Sequence, residues 1–472
     1  MLANLLYTTA LMLLSPVILY RMVRHGRYRR GVRQKLWGLS NTEAKAITRG
    51  RRCVWIHAVS VGEVNLLPRL ISELERTTTL PIVVSTSTDT GYDLAVQHFG
   101  SQRVFFCPLD FTWAVRRTLR ALDPVQLVLA ELELWPNLIR IAAKQGCPAV
   151  IVNGRLSERS CAGYQKFRWL TQPIFRRLHW VACQDQTSRS NFAACGTDPE
   201  RLEVTGSLKF DDAPEDREVP EVIQRRVWAG VESSHQVWVV GSTQDGEEQM
   251  AIAAFLELRS RHPQLRLALV PRHKERFDRV AELVTAAGLG LRRRSESQRS
   301  DSQRSESQRS ESQRSESQRS ESENWRSSEV ILIDTIGELR HWWGVADIAT
   351  VGGSFGDRGG QNMLEPAGYG CAVSFGPNTR NFKEIASRLI EAHAAKRLQD
   401  GEELIGFVDR CILEPSFTES LGRAAQQLVR RHRGAVTRTV ETLQQELHQL
   451  QSNDSVEARP DQSCQDESRQ VA

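Results

Sequence analysis

Glu63 stands in His57-Ala58-Val59-Ser60-Val61-Gly62-Glu63-Val64, where an apolar run gives way to a helical pattern. A carboxylate at that point can accept the proton of an attacking hydroxyl. Ser60 and Glu63 are also spaced as a helix capping box, which is the competing structural reading. Glu131 and Glu133, in Glu131-Leu132-Glu133-Leu134-Trp135-Pro136-Asn137, follow directly on the apolar run Val125–Ala130. A buried strand rarely ends in acid without a partner, although ordinary helix-start acids around Pro136 would give the same pattern. Lys209, in Thr205-Gly206-Ser207-Leu208-Lys209-Phe210-Asp211, is either a solvated surface cation or a group that faces phosphate or carboxylate.

A second set lies further along. Pro271-Arg272-His273 follows an apolar run, and Arg272 there can fork onto a phosphate. Gly337-Glu338-Leu339 opens a helical pattern, whose first backbone N–H groups attract anions. Gly352-Gly353-Ser354 and Gly359-Gly360-Gln361-Asn362-Met363-Leu364-Glu365-Pro366 supply glycines that let backbone approach a ligand. Asn362 and Glu365 share one helix face, and Glu365 suits ribose hydroxyls. Such turns after successive strands suggest a nucleotide site.

The elements that must carry these residues read as α/β. Val54–Val59, Pro81–Ser85, Arg103–Cys107, Val125–Ala130, Ala149–Val152, Trp180–Cys183 and Leu202–Thr205 are short, β-branched and bounded by turn residues. After the polar stretch Asp211–Pro220 the pattern resumes with Val237–Val240, Arg266–Val270, Val330–Ile333, Ile348–Val351 and Ala372–Phe375. Helical patterns, among them Glu63–Glu75, alternate with these strands, which implies two doubly wound parallel sheets with a ligand cleft between them. The expected division is an anchor at 1–20, a basic segment at 21–52, one Rossmann-like domain at 53–215, a second at 216–451, and a polar, disordered tail at 452–472. Within the second domain, Ser295–Glu323 repeats S-E-S-Q-R without one apolar residue in 29 positions. It has nothing to bury against its ordering entropy and reads as a disordered insertion.

Composition narrows the class. The 472 residues exceed what one core organises. The formal charge of +5 is concentrated: residues 21–52 hold eleven Lys/Arg against Glu43, a local +10 that leaves −5 for the remainder. A general nucleic-acid footprint is therefore absent. Nine scattered cysteines without zinc spacing fit a reducing compartment. The chain has no D-x-D triplet and no G-x-x-x-x-G-K-[ST] loop. Leu2–Tyr20 is 19 residues without a charge, ~28 Å as a helix, and Arg21 follows at once. That reads as a transmembrane anchor helix rather than a signal peptide, with the body on the cytoplasmic side and the basic stretch on anionic lipid.

Taken together, H-A-V-S-V-G-E, E-L-E-L-W-P-N, N-G-R-L-S-E-R-S, G-S-L-K-F-D, V-P-R-H-K-E-R and G-G-Q-N-M-L-E-P-A, in this order, resemble the 3-deoxy-D-manno-octulosonic acid (Kdo) transferases of lipopolysaccharide synthesis. The resemblance implies two Rossmann-like domains of the GT-B type and inverting transfer from CMP-Kdo to a lipid A precursor in the inner membrane. No further cofactor is implied. By resemblance, Glu63 matches the proton acceptor, and Glu131 and Lys209 match residues that stabilise the transition state. Pro271, Arg272, Gly337, Glu338, Leu339, Asn362, Met363, Leu364 and Glu365 match the CMP contacts. No metal is required, because CMP leaves as a stable phosphate anion whose charge cations and helix ends can meet. The chain departs from the family pattern at Gln361, where His is usual, and in the Ser295–Glu323 insertion. Two other classes share parts of this reading: a GT-B enzyme using a UDP-sugar, and a non-enzymatic membrane-bound lectin or scaffold. The second is favoured only if Glu63 and Lys209 do not converge.

Overall fold

The computed structural model describes residues 29–296 and 329–457, and before them ten separate positions between Asn4 and Arg24. It divides into two compact units, one formed by residues up to Asp211 together with those from Arg433, the other by Asp212–His432.

The first unit is built on β1 (Cys53–His57), β2 (Ile82–Thr86), β3 (Val104–Phe106), β4 (Pro124–Ala130), β5 (Ala149–Gly154), β6 (Leu178–Cys183) and β7 (Leu202–Val204). They form one parallel sheet in the order β3-β2-β1-β4-β5-β6-β7. Successive side chains point to opposite faces. Trp55, Leu127 and Ile151 enter one core, while Val54, Ile56, Val128 and Val150 enter the other. With both faces covered, the central strands are buried end to end, which is why they read as unbroken apolar runs.

The second unit repeats the plan with β8 (Gln236–Thr243), β9 (Leu265–Pro271), β10 (Leu291–Arg293), β11 (Val330–Leu332), β12 (Ile348–Val351), β13 (Ala372–Phe375) and β14 (Ala395–Arg397). Its order is β10-β11-β9-β8-β12-β13-β14, also parallel. In each sheet the strand order reverses at the centre, between β1 and β4 and between β8 and β12, and in the second sheet β11 also stands inside β10. Open α/β sheets bind ligands beyond the carboxyl ends of the strands at such a point.

Several expectations change. The helical pattern Glu63–Glu75 is two helices, Val61–Val64 and Leu67–Thr77, because Pro68 fits only a first turn. The unit boundary falls at Asp211/Asp212, and the last helix, Ala435–Glu457, returns to the first unit instead of closing the second. Ala435, Val436, Val440, Leu443 and Leu447 are buried there with Leu67, Leu70, Ile71 and Leu74. The Asp211 carboxylate accepts the Gly434 and Val436 N–H groups at 2.6 Å each and so caps that helix.

Among the described residues no helix is long and apolar enough to cross a membrane. Most of the expected anchor, most of the 295–323 repeat and the tail beyond Glu457 lie outside the described residues. Asn4 and Tyr7 are described, and both are bonded to the first unit. Asn4 Oδ1 accepts from Thr112 N and from Asn137 Nδ2, and the Tyr7 hydroxyl donates to Asp110 at 3.0 Å.

Candidate active site

Glu63 sits on the single turn Val61–Val64 beyond β1 and is 9% exposed. Its Oε2 accepts the Val59 N–H at 2.7 Å and its Oε1 the Ser60 hydroxyl at 2.9 Å. In a capping box the serine oxygen takes the glutamate's backbone N–H and the glutamate takes the serine's own N–H. Neither bond is present; the Ser60 hydroxyl is turned onto the carboxylate, which it orients.

Glu131 is the first residue past β4, the strand beside β1 at the order reversal. Its φ of +55° is left-handed, uncommon for a residue with a long side chain. Asn153 near the end of β5 is also left-handed, at +57°. Its amide nitrogen donates to Glu131 Oε1 at 3.5 Å and its amide oxygen accepts the Leu208 N–H at 3.0 Å. Asn153 thereby ties Glu131 to the short turn Leu208–Phe210 that carries Lys209. Lys209 Nζ stands 3.3 Å from Glu131 Oε1, both side chains about one-third exposed. Residues that follow β1, β4 and β7 are thus drawn together beyond the carboxyl ends of the strands of the first sheet.

Burial raises the pKa of Glu63 above the ordinary carboxylate range. The bonds from Val59 and Ser60 oppose the rise, the Glu131 charge adds to it, and Lys209 subtracts. Glu133 is pushed up to about 7, by burial first and then by the charge of Glu63, against the Trp135 indole N–H at 2.9 Å. These three carboxylates and the Lys209 ammonium form one electrostatic unit. A raised carboxylate in such a setting is suited to proton transfer near neutrality. His57, which opens the same motif, is fully buried against Ser85, and burial lowers its pKa to about 4. It is neutral at physiological pH and serves the packing of β1.

In the second unit, Arg272 is exposed just past β9, its N–H held by Thr243 O at 3.1 Å. Asn362 bridges the turn before the helix Leu364–Gly368: its amide nitrogen donates to Glu365 Oε1 at 3.2 Å and its oxygen accepts the Leu364 N–H at 3.1 Å. Burial raises the Glu365 pKa, and Arg340 and Arg272 act against the rise, so Arg272, Arg340 and Glu365 share one field. Met363, Leu364 and Pro271 are buried, so only their backbones could meet a ligand. Gly337, at φ +89°, turns the chain into the helix Leu339–Val345. The Glu338 carboxylate is taken up by Arg225 and Arg294 at 3.1 Å each and by the Thr335 hydroxyl at 2.7 Å. Its side chain is structural.

The Gly352-Gly353-Ser354 turn is not an open cradle. Glu247, 5% exposed at the start of the helix Glu247–Arg259, accepts the N–H groups of Gly353, Ser354 and Phe355 at 2.7, 3.0 and 3.0 Å, and that of Gln244 at 2.8 Å. A Cβ on Gly352 would stand 2.7 Å from that carboxylate, so only glycine fits. By contrast Gly359 and Gly360, at φ +88° and +83°, shape the turn ahead of Gln361 and Asn362, and Gln361 packs beside Gly353.

The structure therefore brings Glu63, Glu131 and Lys209 together in the first unit, and Arg272, Asn362 and Glu365 in the second. It adds Ser60, Glu133 and Asn153 to the first set and Glu247 and Arg340 to the second. Glu133 and Asn153 stand inside motifs already singled out, and Asn is the residue that best tolerates a left-handed backbone. Nothing local distinguishes Glu247 from an ordinary helix-start acid. Among the described residues no three His, Cys, Asp or Glu side chains are grouped to hold a metal ion.

Residues 26–212 match the family described as 3-Deoxy-D-manno-octulosonic-acid transferase (kdotransferase). The chain is 33% identical over 454 residues to the 3-deoxy-D-manno-octulosonic acid transferase of Bordetella pertussis, covering 93% of this chain and 98% of that protein. It is 30% identical over 445 residues to the enzyme of the same description from Haemophilus influenzae, covering 93% and 97%. A solved UDP-GlcNAc 2-epimerase from Neisseria meningitidis bound to UDP-GlcNAc is similar at TM-score 0.54 and 12% identity, covering 83% of this chain and 99% of that one, a likeness of fold alone. Two relatives matched along nearly their whole lengths place this chain in the 3-deoxy-D-manno-octulosonic acid transferase family, whose members are glycosyltransferases.

Proposed function

We propose that the protein transfers Kdo from CMP-Kdo to a hydroxyl of a lipid A precursor, lipid IVA, in lipopolysaccharide core synthesis, by an inverting reaction that needs no metal. The observation that carries this reading is the joining of Glu63 with Glu131 and Lys209 at the strand-order reversal of the first sheet. Glu63 accepts the acceptor's proton as its oxygen bonds to the anomeric carbon of Kdo, while the bond from that carbon to the CMP phosphate breaks and CMP leaves with the electron pair. Lys209, held by Glu131, meets the negative charge that develops at the transferring centre. Arg272, Gly337–Leu339 and Asn362–Glu365 contact the CMP moiety, with Arg272 on its phosphate and Glu365 on its ribose.

The charge asymmetry of the N-terminal region supports attachment to the cytoplasmic face of the inner membrane through the apolar run and the +10 stretch. The convergence of Glu63 and Lys209 argues against a non-enzymatic lectin or scaffold. Purified protein incubated with CMP-Kdo and tetraacyl lipid A precursor should add the mass of at least one Kdo, undiminished by EDTA. UDP-sugars should not replace the donor. No mass gain with CMP-Kdo would overturn the assignment.

A further inference from the structure

Immediately after Asn153 and Gly154 the chain leaves the candidate site and builds two helices, Glu158–Lys166 and Arg168–Phe175, joined at Phe167. The inner side of this hairpin is firmly seated. Phe175 is fully buried, Tyr164 packs edge-on against it at 5.2 Å, and Phe175 packs in turn on Phe192 at 6.0 Å. The outer side is the reverse. Phe167 is 59% exposed, Trp169 70% and Leu170 39%, all at or beside the elbow. Around them, residues 155–177 carry six exposed Arg/Lys against the single acid Glu158, a net +5.

A tryptophan and a phenylalanine kept in water on a well-packed support mark an interaction surface. Aromatic side chains ringed by cations match the boundary of an anionic bilayer, where the rings enter the headgroup level and the cations meet lipid phosphates. A protein partner with an acidic rim would satisfy the charge as well, and unchanged vesicle binding of a variant without the aromatic side chains would point to it.

We propose that this hairpin is a membrane contact separate from the N-terminal segment, with Phe167, Trp169 and Leu170 inserted at the headgroup level of an anionic leaflet. The helix Glu158–Lys166 is ~13 Å long, so the elbow sets the leaflet within reach of Asn153 and Glu131, and the lipid acceptor reaches Glu63 without leaving the membrane. The purpose rests on the proposed acceptor; the contact needs only anionic lipid, and its test uses no sugar chemistry.

The full chain is mixed with phosphatidylcholine vesicles containing phosphatidylglycerol and a brominated phosphatidylcholine. Bromine quenches tryptophan fluorescence, and the quenched fraction should drop measurably in Trp169→Phe. Replacing Phe167, Trp169 and Leu170 together by Ser should weaken sedimentation with anionic vesicles by roughly tenfold, with an unchanged melting temperature because all three are exposed. The same variant should lose transfer to vesicle-embedded acceptor while keeping transfer to detergent-dispersed acceptor. Equal quenching in wild type and Trp169→Phe, or unchanged vesicle binding of the triple variant, overturns the proposal. So does self-association that buries Trp169 in lipid-free solution. If transfer is absent throughout but Trp169 is quenched, the functional assignment fails and the membrane contact stands.

Discussion

The candidate catalytic acids of the first unit and four buried acids of the second are held differently. The four of the second are neutralised. Glu247 is held by four backbone N–H groups, Glu248 by Arg276 and Thr243, Asp334 by Arg293 and Ser295, and Glu338 by two arginines. Asp334 and Glu338 accordingly lie below the ordinary carboxylate range, their hydrogen-bond and charge partners outweighing burial. In the first unit Lys209 pairs with Glu131 and acts on Glu63, Glu133 feels the charges of Glu63 and Glu131, and Glu63 and Glu133 are raised. Paired carboxylates hold loops in shape, whereas under-compensated ones can exchange protons near pH 7. Glu365 of the second unit is also raised by burial, so the contrast sets Glu63 and Glu133 apart from these four acids and not one whole unit apart from the other.

The sharpest way to break that contrast is Glu63→Gln, which keeps the shape of the side chain but cannot take a proton. Transfer should fall by roughly 10²–10⁴-fold while melting temperature and CMP-Kdo binding persist, since the donor contacts are assigned to the other unit. A variant that transfers within a few-fold of wild type would remove Glu63 from the mechanism. Lys209→Met should cost roughly 10²–10³-fold in kcat. Because Lys209 also lowers the Glu63 pKa, the acid limb of the pH–rate profile should move to higher pH in this variant; an unmoved limb would separate Lys209 from Glu63.

On the other side of the comparison, Glu247→Ala orphans four backbone N–H groups and should destabilise the protein by about 1–3 kcal/mol. Donor affinity should weaken, since the loop at 353–355 supports Gln361 and Asn362, whereas kcat at saturating CMP-Kdo should be nearly unchanged. A large kcat defect with normal stability would place Glu247 in the chemistry.

Glu133 links the first unit's electrostatics to stability. Its folded pKa is about 7 against an ordinary 4.5, so between those values the folded protein holds a proton that the unfolded chain has lost. Stability should therefore decline as pH rises from about 4.5 to 7. Denaturation curves of Glu133→Gln should flatten this slope; an unaltered slope would show that other groups cause it. The smallest effect is expected from removing residues 297–323 while keeping Ser295, whose N–H and hydroxyl bond Asp334. Stability should change by less than about 1 kcal/mol, with transfer intact. A larger loss in calorimetry would show that the repeat packs against the unit.

The central strands were legible because a parallel strand covered on both faces needs apolar side chains in both directions, as in Val125–Ala130. The edge strands β10 and β14 were not. Leu291-Arg292-Arg293 and Ala395-Lys396-Arg397 are short and charged, as exposed sheet edges tend to be. Glu63, Glu131 and Lys209 could be picked out by motif, since each follows a strand at a turn. Local sequence nonetheless made a capping box of Ser60 and Glu63 as reasonable as a base, and left the Gly352–Ser354 turn looking open.

What the sequence determined by itself is therefore the inventory of two parallel α/β sheets, the acids and cations at their strand ends, and the basic N-terminal region. Period, turn residues and charge are local properties and survive without a fold. Tertiary structure alone decided that Asn153 ties Glu131 to the Lys209 turn, that Glu247 fills the glycine turn, that Glu133 titrates near 7, and that Ala435–Glu457 packs on the first unit. Each depends on groups far apart in the chain, because burial and charge act through space and strand order decides which distant residues become neighbours.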